Sequence, residues 1–215
     1  MKKLILRWDD QNEIKKIAAI LEKNELIVGT TDTVIGFFAL PTHEGFFALN
    51  RLKKRGNKPY LLLTNSHSEI LKHIKCNNYF LIEKLMEKLW PGPLTIIFKA
   101  KKEVPAYMCS DDRTIAFRIP DHQGILSLCT LVPLLFSTSA NETGMPVVQL
   151  LSELNDVMMK NCAAIVTDNR ERKTVVPSTI IDCSKLDENK VVLVREGVLS
   201  RLQIQMYLPQ DVVLL

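Results

Sequence analysis

The sequence predicts an α/β layer architecture. Apolar runs of strand length recur from one end of the chain to the other, stretches with helical spacing stand between them, and several of the strands end abruptly in hydroxyl-rich turns. Residues 12–23 place Ile14, Ile17, Ala18 and Leu21 on one face behind "DD", an acidic start that suits a helix N-terminus. "LIVG" at 26–29 reads as a buried strand entering the polar turn "TTDT". A second helix over roughly 44–54 carries Phe46, Phe47, Leu49 and Leu52. "YLLLT" at 60–64 is a strand, and 78–89 a helix stopped by "WPGP". "LTIIFKA" and "TIAFRI" are strands, the second alternating like a half-buried one. Helix is expected at 123–131, strand in "PLLFS" at 133–137, and helix again at 149–159. "AAIVTD", "STIID" and "VVLVRE" are three further short strands, followed by a last helix at 199–206.

Bulk properties narrow the function classes. A chain of 215 residues with 47% hydrophobic and 24% charged residues can bury a real core, and one domain spanning 1–215 is expected. No apolar run approaches the roughly 18 residues of a membrane span, so no membrane role is expected. "MKKLILRWDD" has too short an apolar part for a signal peptide, which makes the cytoplasm the expected location. Cys76, Cys109, Cys129, Cys162 and Cys183 are widely spaced without a CxxC pair and read as free, buried thiols. His43, His67, His73 and His122 are equally scattered, so no protein-built metal site is expected. A formal charge of +4 permits an anionic ligand or RNA contact without requiring either. Basic clusters fall at Lys53, Lys54, Arg55 and Lys58, at Lys99, Lys101 and Lys102, and at Arg170, Arg172 and Lys173. P-loop, dinucleotide and nucleophile-elbow motifs are all missing, so any nucleotide is held by another route.

The informative pattern is where strands stop. "LIVG" ends in Thr30, Thr31, Asp32 and Thr33; "TIAFR" ends in Arg118; "PLLFS" ends in "STSAN". Ligands of open α/β sheets sit beyond strand ends, and three polar ends suggest one pocket built from several loops. Arg118 closes an apolar strand, so its head needs solvent or a partner; a ligand carboxylate and an internal acid are both open, and the nearby Asp121 lies past a proline that turns the chain away. Arg55 and Lys58 could clamp phosphates or simply sit at a helix C-terminus.

Taken in order, "TTDTVIG", "KKRGNKP", "WPGPLT", "AFRIPDH", "STSANETGMP", "PSTIID" and "VVLVREG" resemble the successive motifs of the YrdC/TsaC family, the threonylcarbamoyl-AMP synthases of tRNA t6A modification. The likeness runs from about Ile14 to Leu202. It implies a YrdC-like twisted mixed sheet with flanking helices around a large basic cavity. It implies condensation of L-threonine, bicarbonate and ATP to threonylcarbamoyl-adenylate and pyrophosphate, with Mg2+ accompanying the nucleotide. Threonine contacts implied by the motifs are Thr31, Arg118, Ser139 and Ser178; ATP contacts are Arg55, Lys58, Thr114, Asn141, Gln149 and Arg195. No catalytic acid or base stands out, so catalysis by positioning is expected. Contact with tRNA or double-stranded RNA, and hand-over to downstream threonylcarbamoyl transferase proteins, would follow. Alternatives are an RNA-binding paralogue without synthase activity and a related carbamoyl-transfer enzyme. The chain departs from the family pattern at Thr30 (usually proline), Ile35 (an aromatic), Gly56 (proline), Leu63 (a threonine-contacting histidine in longer members) and Gln149 (threonine), and its Arg55–Pro59 segment is one residue short.

Overall fold

A computed structural model describes residues 3–54, 56, 58–142, 144–168 and 176–215. In chain order the elements are β1 (Leu4–Arg7), α1 (Gln11–Glu22), β2 (Leu26–Gly29), β3 (Gly36–Ala39), α2 (His43–Lys53), β4 (Leu61–Leu63), α3 (His67–His73), α4 (Phe80–Leu89) and β5 (Leu94–Lys99). There follow β6 (Thr114–Arg118), α5 (Gln123–Leu128), β7 (Leu135–Ser139), α6 (Asp156–Lys160), β8 (Cys162–Thr167), β9 (Thr179–Asp182), β10 (Lys190–Arg195), α7 (Arg201–Gln205) and β11 (Val213–Leu214). The strands form one sheet in the order β1-β8-β2-β3-β7-β4-β6-β5-β9-β10-β11. Parallel and antiparallel pairings mix within it: β8 runs parallel to β2, β3 antiparallel to both β2 and β7, and β9 parallel to β5.

The two-residue period of each strand divides the core into two layers. Register pairs Ile27 with Phe38 and Val28 with Phe37. Ile27 and Phe38 therefore point to the face covered by α1 and α5, where they join Ile14, Ile17, Leu21, Ile125 and Leu128. Val28 and Phe37 point to the other face, where Phe46 and Leu49 of α2 and Leu85 and Met86 of α4 complete a larger cluster. Helix α1 starts where the "DD" pair predicts: Asp10 is its N-cap and accepts from the N–H groups of Asn12 and Glu13.

The expected helix at 149–159 is broken into a single 3-10 turn, Leu151–Glu153, and α6. Local side chains compete for its backbone. Glu153 Oε2 accepts from the N–H of Gln149 at 2.8 Å, and Asn155 caps a fresh start by accepting from Val157 N at 2.7 Å. Four elements went unforeseen: β1, β3, β11 and α3.

Candidate functional site

The ends of β2, β6 and β7 converge, together with β5, β9 and the last residue of β10, on a cavity of about 380 Å³. Its polar lining is rich in hydroxyls, with Thr31, Thr33, Thr95, Thr138, Ser139 and Ser178 all contributing. Among the described residues its charged lining consists of Arg118, Arg195 and Asp32, one net positive charge.

Arg118 is fully buried at the end of β6, and an internal acid does meet it. Its Nη2 donates to Asp32 Oδ2, its Nη1 to Thr33 Oγ1 at 2.9 Å, and its Nε to the Gly92 carbonyl at 2.9 Å. The carbonyl comes from the "WPGP" turn, so that rigid turn seats the guanidinium. Asp121 gives its backbone N–H to the same Asp32 oxygen at 2.9 Å. Local sequence singled out Asp121 as the nearest acid, whereas the ion-pair partner is Asp32, 86 residues away. Burial pulls the Arg118 guanidinium below its ordinary range, and the Asp32 charge pulls back in the opposite direction. Among the described residues nothing hydrogen-bonds the buried Asp32 Oδ1.

The Thr31 hydroxyl borders the cavity but is committed to its own loop. It donates to the Val34 carbonyl at 2.6 Å and accepts from Thr33 N at 3.0 Å and Val34 N at 3.1 Å, a turn locked by its own side chain. On the opposite wall Ser178 Oγ shares a 2.8 Å hydrogen bond with buried Thr95 Oγ1. Arg195 donates to the Ser178 carbonyl from Nε at 3.1 Å and from Nη2 at 2.8 Å. Desolvation lowers the Arg195 pKa, and the positive charge of Arg118 lowers it further. The turn behind this wall needs Gly197, because a Cβ there would fall 2.2 Å from the Pro177 carbonyl.

The "STSAN" stretch is held from below by a residue that sequence reasoning missed. Lys53, 3% exposed at the end of α2, donates to the Ser139 carbonyl at 2.7 Å and to both the carbonyl and Oδ1 of Asn141. Ser139 Oγ in turn donates to Asn141 Oδ1. By sequence Lys53 stands out only as one cation of the basic cluster with Lys54, Arg55 and Lys58. A signal was present: it lies seven residues after Phe46 and four after Leu49, on the buried stripe of its helix.

Of the expected site residues, Thr31, Arg118, Ser139, Ser178 and Arg195 line the cavity together. Asn141 joins through its bonds to Ser139 and Lys53. Three others stand apart from that lining. Thr114 is at the far end of β6, roughly 13 Å from Arg118 at a strand's rise per residue, with its hydroxyl on Ser110 Oγ. Lys58 and Gln149 are exposed. Arg55, and the basic cluster at Arg170, Arg172 and Lys173, lie outside the described residues.

The Sua5/YciO/YrdC family model, described as "Telomere recombination", matches residues 19–197. The chain belongs to that family. Among Sua5/YciO/YrdC relatives, a Methanocaldococcus jannaschii protein named provisionally as a threonylcarbamoyl-AMP synthase is 32% identical over 196 residues, covering 88% of this chain and 90% of its own length. A threonylcarbamoyl-AMP synthase of an Enterobacter species is 32% identical over 138 residues, 62% of this chain and 72% of that one. The family fold extends to solved structures. P. abyssi Sua5 crystallised with L-threonine superposes with a TM-score of 0.86 at 24% identity, covering all of this chain and 62% of its own. E. coli YciO gives 0.78 at 24% identity, covering 93% of this chain and 97% of that one. This chain thus spans less than two thirds of the Sua5 length and nearly all of the YciO length.

Proposed function

We propose that this protein is a threonylcarbamoyl-AMP synthase, joining L-threonine, bicarbonate and ATP into threonylcarbamoyl-adenylate and releasing pyrophosphate for tRNA t6A modification. The observation that carries this reading is the hydroxyl-rich cavity in which Arg118, Ser139, Ser178 and Arg195 meet, in a chain related to proteins of that name. Three N–H groups of the Arg118 guanidinium are engaged internally, which fixes the plane of the fork; the remaining two are left to grip the threonine carboxylate. Thr31 contributes by shaping the loop, and Ser178 and Ser139 supply short polar contacts on the two sides. Arg195 faces the anionic nucleotide, with Asn141 beside it and with Arg55, Lys58, Thr114 and Gln149 as outer contacts of the same ligand. Mg2+ enters with the nucleotide as part of that substrate.

Catalysis on this reading is positioning. The threonine amine is held against a carbon dioxide equivalent, the carbamate oxygen then faces the α-phosphate, and cations stabilise charge on the departing pyrophosphate. Residues 1–215 act as one domain in the cytoplasm, with tRNA and threonylcarbamoyl transferase proteins downstream; no helix among the described residues is long and apolar enough to cross a membrane. The deciding experiment measures pyrophosphate release from ATP with L-threonine and bicarbonate each omitted in turn. Release that needs both is expected. Release independent of threonine would point to another carbamoyl acceptor, and none at all, with RNA still bound, to a binding paralogue.

A further inference from the structure

The loop after β2 is tied down at both ends, and each tie runs through a carboxylate. Asp32 and Thr33, at the far end, are bonded to Arg118 and to the backbone of Asp121. At the near end a different acid is used. The Thr30 hydroxyl donates to Asp168 Oδ1 at 3.1 Å, and Asp168 Oδ2 lies 3.0 Å from His122 Nε2. His122 Nδ1 accepts the N–H of Ile125 at 3.2 Å, so that nitrogen is unprotonated and the proton sits on Nε2, facing Asp168. Both side chains are withdrawn from solvent, the imidazole to 1% and the carboxylate to 8% exposure. Trp8 packs edge-on against the ring with centroids 5.5 Å apart.

Thr30 is tied through its backbone as well as through its side chain. The Thr30 N–H donates to the Val166 carbonyl at 3.1 Å, extending the β2–β8 pairing, and its hydroxyl reaches Asp168. Trp8, which follows β1, adds its own N–H to the Thr167 carbonyl at 3.0 Å, so the ends of β1, β2 and β8 meet at this point.

We propose that Thr30, Asp168 and His122 are positioning residues, a second clamp holding loop 30–33 in register with segment 118–122 so that the Arg118 wall of the cavity is set before a ligand arrives. Its effect on turnover rests on the synthase reading; the clamp itself does not. The variants are Thr30→Val, which keeps shape and backbone N–H but loses the hydroxyl, Thr30→Ser, which restores it, and Asp168→Asn, which turns a donor toward one neighbour. Amide exchange is read at residues 31–34 and 121, imidazole nitrogen shifts at His122, and threonine KM and kcat from pyrophosphate release. Thr30→Val should speed loop exchange and raise threonine KM by about 3–10-fold, the worth of one hydrogen bond, with kcat within about twofold and Thr30→Ser close to wild type. Asp168→Asn should displace the His122 nitrogen shifts. Wild-type exchange and KM in Thr30→Val, or a lowered Tm with both unchanged, would overturn the proposal and leave an ordinary structural network. If the wild type releases no pyrophosphate, the synthase reading fails, and exchange together with the imidazole shifts still decides the clamp.

Discussion

The cavity has two arginine walls, and they are built in opposite ways. Arg118 is fully buried, faces Asp32, and has its three nitrogens on Asp32, Thr33 and Gly92. Arg195 is exposed at the end of β10, bonds the carbonyl and hydroxyl of one serine, and meets no carboxylate among the described residues. A buried guanidinium with a nearby carboxylate is structure first and ligand contact second, since removing either partner strands a charge. A guanidinium resting on a carbonyl keeps its charge available. One wall sets shape, and the other offers a cation.

The most damaging way to test that contrast is Asp32→Ala. It leaves the Arg118 charge buried without its counter-charge and should cost about 3–5 kcal/mol, a fall in Tm on the order of 10 °C in a thermal or urea melt. A stable Asp32→Ala protein would mean that the first wall is as open as the second. Arg195→Ala should behave the other way, with stability within about 1 kcal/mol of wild type but ATP binding weakened by about 10–100-fold in calorimetry, the scale of one charge-assisted contact. Equal losses of stability in the two variants would erase the distinction.

The smallest effect is expected away from both walls, at the thiols. Burial pushes Cys129 and Cys162 up to about 12 and Cys183 well above its usual value. Half-buried Cys76 is raised as well. At pH 8 an alkylating reagent should therefore label Cys76 first and leave those three intact in the folded protein, as mass spectrometry would read. Unfolded thiols ionise near 9, so this protection is complete below that pH, and stability declines as pH rises from about 9 toward 12. Rapid labelling of Cys162 would contradict the burial of β8.

Much of the fold was legible because buried strands in a covered sheet are written as plain apolar runs, as in "LIVG" and "LTIIFKA". What escaped was short or peripheral. Residues 4–7 form an edge strand with two of four side chains apolar and exposed, and "GFFA" is four residues lying close to a helix with phenylalanines of its own. Convergence of polar strand ends was legible too, since it follows from topology. The partner of Arg118 was not, because nothing in the local sequence ties Asp32 to a strand 86 residues on. Lys53 was legible in principle and misread, its charge outweighing its place on the apolar stripe.

The order of strands across the sheet has a consequence for how the molecule is made. The cavity wall at Ser178 rides on β9, which pairs with β5, while β8 inserts between β1 and β2 from the opposite end of the sequence. Arg195 arrives later still. A chain leaving the ribosome therefore carries the 30–33 loop, the "STSAN" stretch and Arg118 long before it has a pocket, and strand-to-strand closures of such sequence separation are slow steps. Until β8 slots in, the flanks of β1 and β2 remain open edges, and their exposure lasts until the last third of the chain has been made.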